Sequence, residues 1–253
     1  MRVGLIGFGF IGADLYRRIA ADGSAFELAF VHNRTAARLA DVPPGLILDD
    51  LAEARRFAPD LIVEAADPGV TRRYGEAFLG FADYMPLSLT ALADEALRAR
   101  LDATAADSGR SLLIAHGALV GMDSLAEWQA MWEEVAITFR KPPASLGLPG
   151  APGETLLFDG SVREIAARYP HNVNAMVACA LATVGLDRCR ARLVADPALD
   201  HLVLEVEARG RDGARLSIRR SQPATGVSGS EMAASAWRSI CRAAPLPGGA
   251  VFV

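Results

Sequence analysis

Gly7, Gly9 and Gly12 stand between a short apolar run, Val3 to Ile6, and a stretch of helical spacing in which Leu15 and Ile19 share one face. A GxGxxG spacing at a strand-to-helix turn suits a pyrophosphate. The first glycine permits the tight turn, the second lets phosphate approach the backbone, and the third lets the helix pack close to the strand. Beyond the loop, the helix start offers unpaired backbone N–H groups and the positive end of a dipole. Gly7, Gly9, Phe10, Ile11 and Gly12 are therefore the expected contacts of a dinucleotide.

The next apolar run, Phe26 to Val31, ends in His32-Asn33-Arg34. Many NAD-binding chains carry a carboxylate at this strand end to hold the ribose 2′-OH. Asn33 followed by Arg34 removes that negative charge and supplies a guanidinium able to pair with a 2′-phosphate. The expected cofactor is NADP or NAD, with NADP favoured; if Arg34 only stacks on the adenine, both bind. His32 reads as a surface residue rather than a catalyst.

The elements that must position these residues follow from the same periodicities. After the glycine loop and its helix come apolar runs at Phe26 to Val31 and Leu61 to Val63, an amphipathic stretch from Thr71 to Leu79, and an extended segment from Asp83 to Ser88. A helix from Asp94 to Ala106 and a strand at Leu112 to Ala115 complete an alternation that predicts a parallel sheet covered on both faces. Past Gly121 the rhythm changes: a helix near Ser124 to Met131 precedes the alternating Val135, Ile137 and Phe139, the signature of a sheet with one solvated face. The Pro- and Gly-rich stretch Lys141 to Gly153 reads as a loop. Helices at Val162 to Arg168 and Val173 to Val184 then precede strands at Arg192 to Val194, Leu202 to Ala208 and Arg215 to Arg220, and a last helix spans Ser230 to Ala243. The fold class expected is α/β, a Rossmann dinucleotide-binding domain (1–120) with a second, smaller α/β domain (121–228) on a mixed or antiparallel sheet. The C-terminal segment, 229–253, is expected to pack back on the first domain.

Composition narrows the function classes. With 51% hydrophobic and 22% charged residues the chain has the balance of a folded protein, not a disordered one. A net charge of −4 without any clustered Lys/Arg patch excludes a general nucleic-acid-binding surface. No apolar run approaches the ~18 residues that span a bilayer, and the N-terminal segment has no signal core, so no membrane segment is expected and the expected compartment is cytoplasmic. Cys179, Cys189 and Cys241 lack CxxC spacing and the four histidines are scattered, which points to inert thiols and no metal site.

Eight segments in one order resemble the L-aspartate dehydrogenase family over nearly the whole chain: GFGFIG, LIVEAADP, SLTALAD, HGALVGMD, FRKPP, FDGSVRE, YPHNVNA and VADP. The resemblance implies hydride transfer between the nicotinamide and the α-carbon of a small amino or imino acid such as aspartate, in a protein that forms homodimers. It implies that Ala118 of HGALVGMD and Asn174 of YPHNVNA, with Asn172 beside it, touch the nicotinamide half of the cofactor. Ala65, Ala66 and Ser88, in the second and third segments, join the cofactor-binding set. Asn172 and Asn174 could equally serve as helix caps. A dicarboxylate needs cationic partners, and Arg140, Lys141 and Arg163 occupy matched segments, although surface ion pairs would account for them as well.

The chain also departs from the family pattern. Counting from Pro197, the family's catalytic histidine falls at Leu204 and its asparagine at Leu202, while His201 lies at an odd offset that sends it to the other side of a strand. A family segment reading roughly NPKTS is Gly226-Val227-Ser228-Gly229-Ser230 here, without its lysine. Two histidines stand in matched segments instead, His116 and His171. Imidazole titrates near neutrality and can move the proton that accompanies hydride transfer, so both are candidate catalysts, with simple structural roles as the alternative. The missing polar pair leaves two further readings open: a dehydrogenase or imine reductase for a different small acid, and a cofactor-binding sensor or subunit without turnover.

Overall fold

In a computed structural model that describes residues 1–23, 25–117, 119–148, 153–223 and 231–244, the chain divides into two units. The first contains Met1–Ala91, Glu95–Ala115 and the chain from Ala233 onward; the second contains Leu92–Asp94 and His116–Met232.

Four short strands, β1 (Arg2–Ile6), β2 (Glu27–His32), β3 (Leu61–Glu64) and β4 (Asp83–Pro86), form the sheet of the first unit. All pair in parallel, in the order β2-β1-β3-β4, with helices α1 (Phe10–Asp22), α2 (Pro68–Leu79) and α3 (Glu95–Ser108) among the connections. The strands are almost wholly buried, as a sheet covered on both faces requires. Gly4 has a packing reason: a Cβ there would lie 2.3 Å from the Phe30 ring. Helix α2 starts sharply because Pro68 takes its first turn and Asp67 accepts the Gly69 N–H at 2.7 Å. Inside the unit, the buried Thr71 and Tyr84 hydroxyls satisfy each other at 2.8 Å.

The strand expected at Leu112 to Ala115 reduces to one isolated bridge, Tyr84 with Leu112, held by backbone bonds from Tyr84 N to Ser111 O and Leu113 N to Tyr84 O. The last described helix, α7 (Glu231–Ala243), places Ala236 and Ile240 in the core made by Val3, Leu5, Leu15, Val31 and Val63, and Trp237 meets Phe26 edge-to-face at 5.0 Å.

The second unit is built on a five-stranded mixed sheet, β5 (Trp132–Lys141), β6 (Thr155–Ser161), β7 (Arg190–Ala195), β8 (His201–Gly210) and β9 (Arg215–Pro223), in the order β6-β7-β5-β8-β9. Only β5 and β7 run parallel. Strand β6 was not expected from the sequence. It lies at the sheet edge, with a register shift and no buried residue, so it carries no period-2 signal. The helix expected near 124–131 is α4 (Met122–Glu127) followed by a 3₁₀ turn over Gln129–Met131; the Trp132 indole takes the Leu125 carbonyl at 2.8 Å where the helix would have continued. A capping box between Ser161 and Glu164 opens α5 (Val162–Arg168), and α6 (Asn174–Leu181) is buried from Ala175 to Ala180. Cys179 and Cys189 are buried free thiols, and Cys241 is a half-buried one. Among the described residues no helix is long and apolar enough to cross a membrane, and no group of three potential ligands could hold a metal.

Because Ile240 is fully buried among the strands of the first unit, Ile240→Ala should lower the unfolding free energy by about 2–5 kcal/mol, the range for emptying such a site. Denaturant melts of the two proteins measure this directly, and a loss below about 0.5 kcal/mol would remove α7 from that core.

Candidate functional site

The C-terminal ends of β1, β2 and β3 open onto a cleft of about 520 Å³ in the first unit, lined by Gly7, Phe8, Gly9, Asn33, Arg34, Arg38, Ala65, Ala66 and Tyr74 among others. Ligands of open parallel sheets bind at strand ends of this kind, where neighbouring connections leave in opposite directions. The three glycines divide the labour. Gly7 has φ +96°, and a Cβ there would sit 2.5 Å from the Ala65 carbonyl oxygen. A Cβ on Gly12 would sit 2.0 Å from the Gly7 carbonyl, so this glycine lets α1 cross the loop. Gly9 is different: its Cβ would meet nothing nearer than Arg38 Nη1 at 4.0 Å, so the space beside it is open cleft. It is also the N-cap of α1 and offers no side chain to the first-turn N–H groups, which include those of Phe10 and Ile11. The Phe10 side chain is exposed and that of Ile11 packs against the core.

One residue the sequence reading passed over holds this cleft together. Glu64, at the end of β3, is completely buried and accepts hydrogen bonds from Ala66 N at 2.6 Å, Asp67 N at 2.7 Å, Ser88 N at 3.1 Å and Ser88 Oγ at 2.9 Å. Burial raises its pKa, and these donors oppose the shift by favouring the carboxylate. The Ser88 hydroxyl is thereby committed to Glu64. Asn33 is likewise committed: its Oδ1 accepts from Phe8 N at 3.0 Å and its Nδ2 donates to Thr35 O at 3.0 Å, tying the glycine loop to the end of β2. His32 is half-buried at the cleft, with its Nδ1 2.7 Å from Leu48 O. Arg34 is exposed at the rim, and Arg38, also exposed, stands with it. The four-residue spacing Arg34-x-x-x-Arg38 was the available sign of this second cation.

The remaining site candidates belong to the second unit, apart from Ala118, which lies outside the described residues, as do Gly226 to Ser230. His116 is half-buried with its Nε2 3.1 Å from the exposed Asp123 carboxylate, so a carboxylate orients the imidazole. His171 is exposed. The N-cap position of α6 falls on Val173, between Asn172 and Asn174, and Val173 supplies no side-chain cap bond. His201 pairs with Asp200 at 2.5 Å, while Leu202 and Leu204 are buried on the sheet.

The three expected substrate cations part company. Arg163 spends its guanidinium on Asp187 at 2.5 and 2.8 Å and on Ala93 O at 2.6 Å. Arg140 pairs with Glu154 at 2.9 Å and Glu205 at 3.4 Å, and its pKa rises with them. Neighbours along a strand point to opposite faces, so Arg140 and Lys141 cannot serve one site together. Lys141 occupies the apolar face with Val135, Ile137 and Phe139. Its Nζ is 5.1 Å from the Phe139 ring centroid and 3.5 Å from Asn172 O, and desolvation, aided by the Arg220 charge, lowers its pKa to about 8.

Comparison with known proteins agrees across both units. Residues 123–244 match the family model "Aspartate dehydrogenase, C-terminal", and residues 7–115 match "Homoserine dehydrogenase, NAD binding domain". An aspartate dehydrogenase domain-containing protein of Xenopus tropicalis is 37% identical over 95% of this chain and 93% of its own length. L-aspartate dehydrogenase 1 of Bordetella pertussis is 34% identical over 93% and 95%. The crystal structure of aspartate dehydrogenase from Thermotoga maritima superposes with a TM-score of 0.76 at 28% identity, covering 96% of this chain and 94% of that one.

The glycines separate fold from binding. Gly12→Ala should destabilise the protein, because a backbone carbonyl stands where the methyl group must go. Gly9→Val should melt near the native temperature yet lose dinucleotide binding, because its side chain fills open cleft. Thermal melts together with NADPH fluorescence titrations test the contrast, and a Gly9→Val protein with native affinity would exclude the glycine loop from the ligand site.

Proposed function

The chain belongs to the aspartate dehydrogenase family, and from that premise we propose that it is an NADP(H)-preferring oxidoreductase acting on a small α-amino or α-imino dicarboxylic acid of the aspartate type. The observation that carries the reading is the open space beside Gly9 at the unfilled N-terminus of α1, a cradle for a pyrophosphate that any larger residue would occupy. Bound there, the nicotinamide cofactor supplies or accepts the hydride. The two rim arginines favour the 2′-phosphate of NADP, since a planar guanidinium pairs with phosphate in a charge-assisted, two-pronged contact.

In this reading the residues of the chain handle the proton. Reduction of a neutral imine places hydride on carbon and requires one proton on nitrogen; oxidation of the amine requires that proton to leave. His116 is the group proposed for this transfer, with Asp123 holding its Nε2 and stabilising the imidazolium form. With Leu204 apolar and buried, His116 takes over the work assigned to the family histidine. We further propose a homodimer working in the cytoplasm.

Reduction of oxaloacetate in the presence of ammonium, followed at the NADPH absorbance, is the direct assay; a purified protein that binds NADPH and turns over no keto acid with ammonium would favour the sensor reading. His116→Ala should lower turnover at least about a hundredfold, within the range for general acid–base assistance, and leave NADPH affinity near native. Near-native turnover in His116→Ala and in the His116→Ala/His171→Ala double variant would assign the proton to water, substrate or another side chain and overturn the role of His116. Arg34→Ala should weaken NADPH by about ten- to a hundredfold and NADH hardly at all, as loss of one charge-assisted contact requires. Equal losses for both cofactors in the same titration would remove Arg34 from the 2′-phosphate.

A further inference from the structure

Opposite residues of an antiparallel pair project on the same face of a sheet. Leu204 stands opposite Phe139 on one side and Arg220 on the other, and Leu202 stands opposite Gln222. Lys141 follows the Arg140–Val203 pair by one residue and so belongs to the same face. The two leucines that leave this face apolar on β8 are therefore flanked by Lys141 on β5 and by Arg220 and Gln222 on β9.

These flanking groups are incompletely satisfied. Arg220 is largely buried and donates from Nη1 to Glu231 Oε1, yet among the described residues its Nε has no partner. Gln222 Nε2 and Glu231 Oε2 are likewise buried without partners among the described residues. Lys141 is buried, with a long bond to Asn172 O and the face of Phe139. Each such atom costs free energy unless something fills its hydrogen-bonding capacity. The cluster has two cations, Lys141 and Arg220, against one carboxylate, Glu231, so it is one negative charge short. Its open valences are donors on Lys141, Arg220 and Gln222 and one acceptor on Glu231.

We propose that Lys141, Arg220, Gln222 and Glu231 bind the head group of an α-amino acid. The three donors take a carboxylate, and Glu231 Oε2 accepts from the amino or imino nitrogen. A carboxylate supplies the missing charge and the acceptors, and the nitrogen supplies the missing donor. The site rests on the proposed reading of the chain as an amino-acid dehydrogenase and names where that substrate is held. It places the polar groups one strand to either side of the apolar Leu202 and Leu204.

The test uses the full-length protein with NADPH bound and α-methylaspartate as the titrant, an aspartate analogue without the α-hydrogen that oxidation removes. Wild-type protein should bind it. Arg220→Met and Gln222→Leu should each weaken that binding, and raise KM for L-aspartate, about ten- to a hundredfold, with NADPH affinity unchanged. Arg219→Ala, on the opposite face of β9, should change neither. If Arg220→Met fails to bind NADPH and so to fold, Arg220→Lys, which keeps the charge but loses the Nε donor, and Gln222→Leu carry the comparison. Wild-type binding without turnover would leave the site standing and overturn the dehydrogenase reading. Turnover of aspartate with unchanged KM and analogue affinity in folded Arg220 and Gln222 variants would overturn the site and leave the reading intact, and failure of wild-type protein to bind the analogue would overturn the site outright.

Discussion

A carboxylate with no solvent contact decides the shape of the dinucleotide cleft. Glu64 ends β3, and the four hydrogen bonds it accepts fix both the Ala65–Asp67 turn and the chain entering after β4. That turn passes so close to Gly7 that only a glycine fits beneath the Ala65 carbonyl. The glycine loop is thus shaped from two sides, by Glu64 acting through the turn and by Asn33 holding Phe8 N. A buried carboxylate that accepts four hydrogen bonds is costly to place and hard to replace, since an amide would set N–H against N–H. The conformation of the glycine loop depends on a charge buried behind it.

What was legible in the sequence follows from which residues announce their constraint by type. Glycines at Gly7 and Gly12 can only be read as missing Cβ atoms, and the contacts there bear that out. The alternation of Val135, Ile137 and Phe139 announced a half-buried strand because β5 lies at the centre of its sheet. The family likeness and the α/β class were readable for the same reason, since both rest on such positions. Strand β6 was not, because a sheet edge buries too little to impose a pattern, and the apolar run at Leu112 to Ala115 promised a strand where only one bridge forms. Glu64 was hidden by its type: a carboxylate inside an apolar strand looks like the strand's polar end until its donors, distant in sequence at Ser88, are known.

The second unit shows a different limit. Arg140 and Lys141 are neighbours in one motif, yet the pleat sends one into a surface network with Glu154 and Glu205 and the other under the sheet beside Phe139. Motif membership carried no information about face. Arg220 and Gln222 were invisible to a motif search because their significance is registral: they matter by standing across from Leu204 and Leu202. Residue type indicated which groups could do chemistry, and strand pairing decided which of them could do it together.

Helix α7 completes the core of the first unit, although everything between Ala115 and Ala233 belongs to the second. During synthesis the nucleotide-binding strands therefore emerge long before the helix that covers Phe26 and packs over Val3 and Leu5. Until then their apolar face is open, and a parallel sheet with such distant closing contacts is slow to form and prone to association. The second unit, whose described contacts close earlier along the chain, can reach its native packing first. The units are thus completed along the chain in the reverse of the order in which they begin, and amide protection on stalled nascent chains of increasing length would test whether folding follows that order.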